Sequence, residues 1–479
     1  MPPRAPPLLA LALLLAAGCL SASTPPAPPP LDVDRAALLP VGAPIVQDHD
    51  HADPALHVGS ANIAAVGYHS GYGDGTAAAL PEGQGFSEMA VWEGERDGAN
   101  RTLAFVGRRG GPDGGFVVID ATDPTAMQRL GAFPGLGNYD IEISADGAFA
   151  FSTTQWLPTE QDPAQLEPAE DQRGVYIVDL ADLASPALAG FFPVPTRGAH
   201  TLSHFAMADG RELVILNTYD FVPDPSLRVP IPGLGGNPVA HRVLITQFVR
   251  APSPHLELLS VFQKTEEVAP QGKAYFPHDT FVQVHPVTGA LILYVAYWDL
   301  GAYLVDISDP TMPRELSRLT DFSPSKHASI HLARPAPALI DGVHVTITEP
   351  ELGATDETGQ LTLYDTTDPA APKRLGYWTL PGDLAITEGL IFSPHNFDIA
   401  NGRVYLAHYH AGVWVIDVHN ASLLQRPEEI GYYQTAIPRP SFAGYATNFW
   451  SAFYHDGLIY ASDISAGLQV LRFRLDAPS

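Results

Sequence analysis

The chain contains a single cysteine, Cys19, among its 479 residues. An internal disulfide framework is therefore excluded, since it needs at least two thiols. Basic residues are also scarce: 26 lysines and arginines stand against 53 aspartates and glutamates, for a formal net charge of −27. Such a surface repels nucleic-acid phosphates, so we expect no nucleic-acid partner. Beyond the N-terminal segment, no apolar run reaches the length that spans a bilayer.

The position of Cys19 indicates a role for it. A short n-region with Arg4 and an apolar stretch at 8–17 precede the string LAAGC at 15–19, as in a secretory signal with small residues at the cut site. This string resembles the lipobox of prokaryotic lipoproteins, in which the cysteine is lipidated and becomes the mature N-terminus. The alternative is an ordinary signal peptide with a chance cysteine. If the lipoprotein interpretation holds, cysteine catalysis is excluded as well.

Three segments follow from this interpretation. Residues 1–18 form a lipoprotein signal peptide, 19–45 a Pro/Ser-rich tether, and 46–479 a globular domain. The run LSASTPPAPPPL at 20–31 favours an extended, semi-rigid chain that holds the domain away from a membrane. We therefore expect an extracytoplasmic protein, anchored to the cell membrane or envelope by its N-terminal lipid.

One phrase recurs along the chain. It combines alternating β-branched and apolar residues, an aspartate, a polar or proline-containing turn and a second apolar run, which predicts a strand, a tight turn and another strand. We expect each aspartate to start its turn by accepting backbone N–H groups, a structural role. These residues are Asp120, Asp179, Asp306, Asp365 and Asp417.

A second hairpin precedes each phrase, most clearly at 394–412 around the turn Asn401-Gly402. Four strands repeated at roughly 40–60 residues are typical of a β-propeller. We therefore predict an all-β fold, a seven-bladed propeller of four-stranded blades. The last unit lacks a fourth strand, whereas Val66-Gly67-Tyr68 matches the fourth-strand motif of other units. Residues 62–68 are thus predicted to pair with 468–474 and close the ring.

The recurring phrases resemble those of the LVIVD-repeat family of prokaryotic surface proteins. The matching strings are FVVID, YIVD, YLVDISDP, LYDTTDP and WVID, and the final SDISAGLQVL resembles a closing blade. The resemblance implies a β-propeller over about 60–474 and a location at the cell surface. It implies no particular chemistry, because function in that family is largely undefined.

Histidines gather where the first strands of several blades begin. Strand starts of this kind share one propeller face with the ends of the second strands, so these imidazoles are predicted to point toward one channel mouth. Three or four that converge would bind copper, zinc or iron. The alternative is that they are structural polar groups of a wet channel. The candidates are His200, His204, His278, His327, His331, His395, His408 and His410.

Two functions stay open at this point. The first is a surface-anchored module whose looped face binds a protein, a glycan or a small ligand. The second is a histidine-ligated metal-dependent enzyme, oxidase-like or hydrolase-like, with its site at the channel mouth. The sequence contains no phosphate-binding glycine loop, nucleophile elbow, HExxH motif or dinucleotide fingerprint. It therefore identifies no catalytic residue by name.

Overall fold

β-Strands, many of them buried at every position, dominate the computed structural model. Two N-terminal strands, β1 (His57–Gly59) and β2 (Ile63–His69), precede the repeated units. The structure describes residues 57–60, 62–72, 85–109, 114–136, 140–155, 172–194, 198–218, 241–264, 276–320, 328–351, 360–380, 393–435, 448–464 and 466–474. Among these, no helix is long and apolar enough to cross a membrane.

Seven antiparallel sheets follow in chain order, each with its first strand innermost. Blade one contains β3 (Gly85–Arg96), β4 (Ala99–Arg109), β5 (Gly115–Asp120) and β6 (Gln128–Pro134). Blade two contains β7 (Ile141–Ile143), β8 (Phe149–Thr154), β9 (Gly174–Asp179) and β10 (Ala187–Pro193). Blade three contains β11 (Leu202–Ala206), β12 (Glu212–Thr218), β13 (Arg242–Val249) and β14 (His255–Phe262).

The remaining blades repeat this order. Blade four contains β15 (Thr280–Val284), β16 (Leu291–Ala296), β17 (Ala302–Asp306) and β18 (Arg314–Leu319). Blade five contains β19 (Ile330–Pro335), β20 (Val345–Pro350), β21 (Leu361–Asp365) and β22 (Lys373–Trp378). Blade six contains β23 (Phe397–Ala400), β24 (Arg403–Ala407), β25 (Val413–Asp417), helix α1 (Ala421–Gln425) and β26 (Glu428–Thr435). Blade seven contains β27 (Phe449–His455), β28 (Leu458–Asp463) and β29 (Gly467–Phe473).

The innermost strands contact one another in cyclic order, and β27 contacts β3. This ring confirms the predicted seven-bladed β-propeller. Buried aliphatic and aromatic side chains fill the spaces between neighbouring blades, as in the cluster that joins Leu213 and Ile245 of blade three to Leu293 and Val305 of blade four. Each blade therefore needs its neighbour to bury its faces.

Strand β2 completes the last blade. It pairs with β29 from Ile63 opposite Phe473 to His69 opposite Leu468, which confirms the closure predicted from the displaced Val66-Gly67-Tyr68 motif. Closure removes the two sheet edges that an open ring would expose. The structure adds one strand that the sequence analysis does not predict. Strand β1 is a fifth strand of blade six and pairs with β26 from His57 opposite Thr435 to Gly59 opposite Tyr433.

The recurring aspartates have the predicted structural role. Each carboxylate accepts a hydrogen bond from the backbone N–H two residues later, for example from Thr122 to Asp120 at 3.0 Å and from Ser308 to Asp306 at 3.0 Å. The same bond forms at Asp179, Asp365 and Asp417. The turn Asn401-Gly402 also forms as predicted, with both residues at positive φ, 53° and 70°.

Close packing against the next blade explains why certain positions of the outer strands are glycine. A Cβ added at Gly131 would lie 2.2 Å from the carbonyl oxygen of Leu183, in the outer turn of the next blade. At Gly67 the corresponding distance to the Pro124 oxygen would be 1.7 Å. Each outer strand therefore lies directly against the next blade's turn, and only glycine fits at the closest approach.

Candidate metal centre

Four histidines from successive blades begin the innermost hairpins on one face. The backbone N–H groups of His200, His278 and His395 each donate to the end of the second strand of their own blade, at 2.8 Å in all three. His331 of blade five lies where the β19–β20 register shifts between Ile330 and Leu332. A bulge of this kind re-aims a side chain. The four equivalent positions bring the rings to one end of the channel.

The four imidazoles form a continuous row. Ring centroids are 4.5 Å apart for His200 and His278, 4.2 Å for His278 and His331, and 4.2 Å for His331 and His395. The Nε2 atoms of His200 and His278 are separated by 3.2 Å. All four residues are buried.

Glu351, directly after β20, places its carboxylate among these rings. Its Oε2 lies 3.7 Å from Nε2 of His278 and 4.0 Å from Nε2 of His331, and its Oε1 lies 3.8 Å from Nε2 of His395. Ligand atoms of His278, His331 and Glu351 all lie within 4.8 Å of one another. Two ligands of one ion, each about 2.0–2.2 Å from it, stand at most about 4.4 Å apart, so the distances of 3.7–4.0 Å between Glu351 and the three imidazoles are compatible with a shared ion.

Hydrogen bonds on the outer ring nitrogens orient the lone pairs. Nδ1 of His395 lies 2.6 Å from the backbone carbonyl oxygen of Trp450. Because a carbonyl can only accept, Nδ1 carries the hydrogen and Nε2 presents its lone pair to the centre. Nδ1 of His200 donates likewise to the amide oxygen of Gln155 at 2.5 Å, and Nδ1 of His331 to Glu349. Metal-ligating histidines characteristically have such outer partners.

Burial favours the neutral forms of His278, His331 and Glu349. It lowers the pKa of His331 to about 4 and the pKa of His278 well below 6.5, where the neighbouring histidines add to the effect. Burial also raises the pKa of the Glu349 carboxyl well above its usual range. A neutral carboxyl still accepts through its carbonyl oxygen, so the contact with His331 persists. Neutral imidazoles can bind a metal ion at neutral pH without first losing a proton.

Aromatic side chains from two short turns enclose the row. Trp298, after β16, stacks on His278 with centroids 5.1 Å apart and an interplanar angle of 25°. Tyr409, after β24, meets His395 edge-on at 5.0 Å and donates its hydroxyl to Oε1 of Glu351 at 2.5 Å. Both residues have positive φ, 42° and 32° respectively. Strained backbone of this kind persists where the surrounding structure enforces it, often at functional sites.

Other predicted histidines lie elsewhere. Nε2 of His204 is 2.7 Å from the Glu212 carboxylate, and its ring stacks on Phe151 between blades two and three. His408 is buried near Trp378, and burial lowers its pKa to about 3. His410 lies in the turn that follows it. These three are not among the described residues whose ligand atoms approach within 4.8 Å, and His327 lies outside the described residues.

Sequence reasoning missed Glu351, Glu349, Trp298 and Tyr409. All four lie at or just after the end of a second strand, on the face where the first strands begin. This shared position in the blades was the feature of the sequence that could have indicated these four residues. The aromatic identity of Trp298 and Tyr409 gave no indication of a site by itself, because aromatic residues more often belong to a core.

A family profile and one of the two solved structures compared below support the fold. The LVIVD repeat family profile matches residues 292–321, which confirms the expected repeat in blade four. The sequence matches no curated protein. Among solved structures, the chain is similar to a proposed 6-phosphogluconolactonase from Bacteroides uniformis, with TM-score 0.51, 10% identity, and 81% of this chain and 92% of that chain covered. The β-propeller domain of Cps50 (Swd1) from Myceliophteria thermophila matches with TM-score 0.46 and 9% identity over 83% of this chain and 99% of that one.

Proposed function

We propose that the protein is a metal-dependent enzyme with a mononuclear transition-metal centre at the histidine end of the channel. His278, His331 and Glu351 are the proposed core ligands, since their ligand atoms lie within 4.8 Å of one another. His200 and His395 flank this triad, with ring centroids 4.5 Å from His278 and 4.2 Å from His331 respectively, and lie outside the proposed ligand set. The proposal takes up the second of the two functions that the sequence leaves open.

One observation carries the proposal: the Nε2 atoms of His278, His331 and His395 all lie 3.7–4.0 Å from the buried carboxylate of Glu351. The Nδ1 atoms of His331 and His395 are bonded to oxygen atoms of other residues. Three imidazole nitrogens gathered around one buried carboxylate favour a cation among them.

The donor set favours iron(II). Two histidines and one carboxylate with open positions are the ligand pattern of non-haem iron oxygenases, whereas zinc and copper are the alternatives for a site with more imidazoles. The aromatic rings of Trp298 and Trp450 and the buried position of Glu351 limit access of water. A water-poor iron site suits redox chemistry with a small oxidant, so we propose an oxidoreductase.

Metal analysis of the full-length protein, purified without a histidine tag, tests the proposal. We expect about one transition-metal ion per chain, lost in His278→Ala and in His331→Ala. His255→Ala is the matched control, because His255 is an exposed residue at the start of the outer strand β14 and its Nδ1 contacts the Ser253 carbonyl. Retention of the metal in both site variants, or a folded wild-type protein that binds no iron, copper or zinc, would overturn the proposal.

The redox assignment needs a separate measurement. Metal-free protein is loaded with iron(II), copper(II) or zinc(II) in turn, and dioxygen consumption is recorded with ascorbate as reductant. We expect iron to support uptake and His331→Ala to abolish it. Tight binding of zinc alone would instead favour the hydrolase-like alternative.

We also propose that the propeller is tethered outside the cytoplasm through a lipid on Cys19. The proposal is supported by the string LAAGC at 15–19 and the proline-rich run that follows it. Both lie outside the described residues.

A further inference from the structure

A second polar chamber occupies the channel beyond the histidine row. Its volume is about 270 Å³, and its walls come from residues farther along the innermost strands. Carboxyl groups from three blades face it without forming an ion pair, and blades five and six together add the ion pair of Arg334 with Asp398. The polar lining residues are Glu88, Asp140, Glu142, Ser203, Asp279, Thr280, Arg334, Asn396, Asp398 and His455.

The chamber has an excess of acidic groups. Its one guanidinium, on Arg334, forms an ion pair of 2.8 Å with Asp398. The other four carboxyl groups, those of Glu88, Asp140, Glu142 and Asp279, form no ion pair with any residue that the structure describes. Burial raises the pKa of Asp140 to about 7, and burial together with the charge of Asp140 raises the pKa of Glu142 to about 8.

Two oxygen acceptors of the chamber's lining residues accept no hydrogen bond from the described residues. Both oxygens of Asp140 accept backbone N–H groups, and Glu88 accepts from Met89 and Asn396. Within the described residues, by contrast, only one oxygen of Asp279 accepts a hydrogen bond. The side chain of Asn396 is 93% buried, and its Oδ1 accepts none. The chamber thus has more hydrogen-bond acceptors than donors, and its one guanidinium is already paired with Asp398. A ligand that complements the chamber is therefore a cation with N–H donors.

We propose that this chamber binds a small organic cation with two ammonium groups, such as an aliphatic diamine. A bare metal ion fits less well, because no three of these carboxylates bring oxygens within 4.8 Å of one another. The two ammonium groups of an extended diamine are separated from each other, as are the chamber's carboxyl groups on different blades. The apolar walls, including Phe281 and Phe453, suit the methylene chain between the two charges. The net charge of −27 draws cations toward the protein.

Isothermal titration of the full-length protein with 1,4-diaminobutane at pH 8.5 tests this inference. Glu142→Gln is the informative variant, because Glu142 is half-buried and accepts no side-chain hydrogen bond that would hold the fold together. We expect saturable binding to one site, weakened at least tenfold in Glu142→Gln and in Asp279→Asn. Glu257→Gln, which changes an acid of the outer strand β14, is the matched control and should bind like the wild type.

Three outcomes would overturn the inference: no binding by the folded wild-type protein, equal binding by Glu142→Gln and the control, or tight binding of calcium chloride with no diamine binding. The last would identify a metal-ion chamber instead. The result is independent of the proposed function, since Glu142 is not a proposed metal ligand. Loss of diamine binding with unchanged transition-metal content in Glu142→Gln would separate the two sites.

Discussion

Nδ1 of His395 in blade six lies 2.6 Å from the carbonyl oxygen of Trp450 in blade seven. The bond fixes the ring of one blade on the backbone of the next, and the Trp450 ring lies 4.3 Å from the same imidazole. The candidate metal centre therefore depends on how adjacent blades are held together. Ring closure by β2, which completes blade seven, supports the orientation of a residue more than 300 positions later in the chain.

Glu349 should act as a positioning residue for His331. Replacing it with Leu removes the acceptor of Nδ1–H, so the imidazole can rotate or take the other tautomer. We expect Glu349→Leu to weaken metal affinity about 10- to 100-fold, the usual cost of losing such an outer partner. Competition with a chelator measures the affinity. Glu349→Gln keeps an acceptor oxygen and should largely restore binding; equal loss in both variants would indicate a role other than orienting the ring.

Gly67→Ala should destabilise the closed ring. The new Cβ would lie 1.7 Å from the Pro124 oxygen, so β2 or the first outer turn must move. We expect a loss of about 1–3 kcal/mol in the free energy of unfolding, as for overpacked cores, measured by urea denaturation. Ala64→Ser is the control, since Ala64 is an exposed residue of the same strand. Unchanged stability in Gly67→Ala would contradict the described contact between blades seven and one.

Stability should fall as pH rises from 7 to 8.5. Asp140 and Glu142, with pKa values of about 7 and about 8 in the folded chain against 3.8 and 4.5 otherwise, retain protons that the unfolded chain has lost. Unfolding therefore releases protons in this range, and rising pH favours it. Buried histidines such as His331, with a pKa of about 4 against 6.5, act in the opposite direction only below pH 6.5.

The measurement is the free energy of unfolding of metal-free protein at pH 7 and pH 8.5. Glu142→Gln cannot ionise at this position, so the decrease should be smaller than in the wild type. If the free energy of unfolding decreases by the same amount in both proteins between pH 7 and pH 8.5, Glu142 does not hold a proton in the folded state.

Cys19→Ser should abolish membrane association without changing the folded domain. The lipobox-like string predicts lipidation at this thiol, and the chain has no other cysteine. Fractionation after a high-salt wash measures the outcome. Continued membrane retention of Cys19→Ser would refute the lipid anchor, because this variant has no thiol to acylate and contacts between surface charges are screened by the high-salt wash.

The repeat allowed the fold to be predicted from the sequence. Asp120 and its equivalents mark turns through local chemistry, and the motif around Gly67 reports a packing contact that recurs in other blades. The short strand β1 escaped prediction because three residues carry no periodic pattern. Its pairing with β26 is fixed by tertiary contacts.

The candidate metal centre could be predicted from the sequence only in part. The starts of the innermost strands predicted the neighbourhood of His200, His278, His331 and His395, since topology alone places them on one face. Topology could not separate these four residues from His408. The direction of a ring at a strand end depends on the local backbone conformation, such as the positive φ of Tyr409. Glu351 lies directly after β20, at a position with no residue type common to the blades, so only the folded chain reveals it among the imidazoles.

Anomalous diffraction at the absorption edge of the bound metal tests the central claim most directly. Crystals of the protein loaded with iron(II) should show one strong anomalous peak at about 2.0–2.2 Å from the Nε2 atoms of His278 and His331 and from Glu351, a typical distance for nitrogen and oxygen ligands. A peak at another place, such as His204 and Glu212, or no peak in protein that is fully loaded by metal analysis, would contradict the metal centre proposed for this propeller.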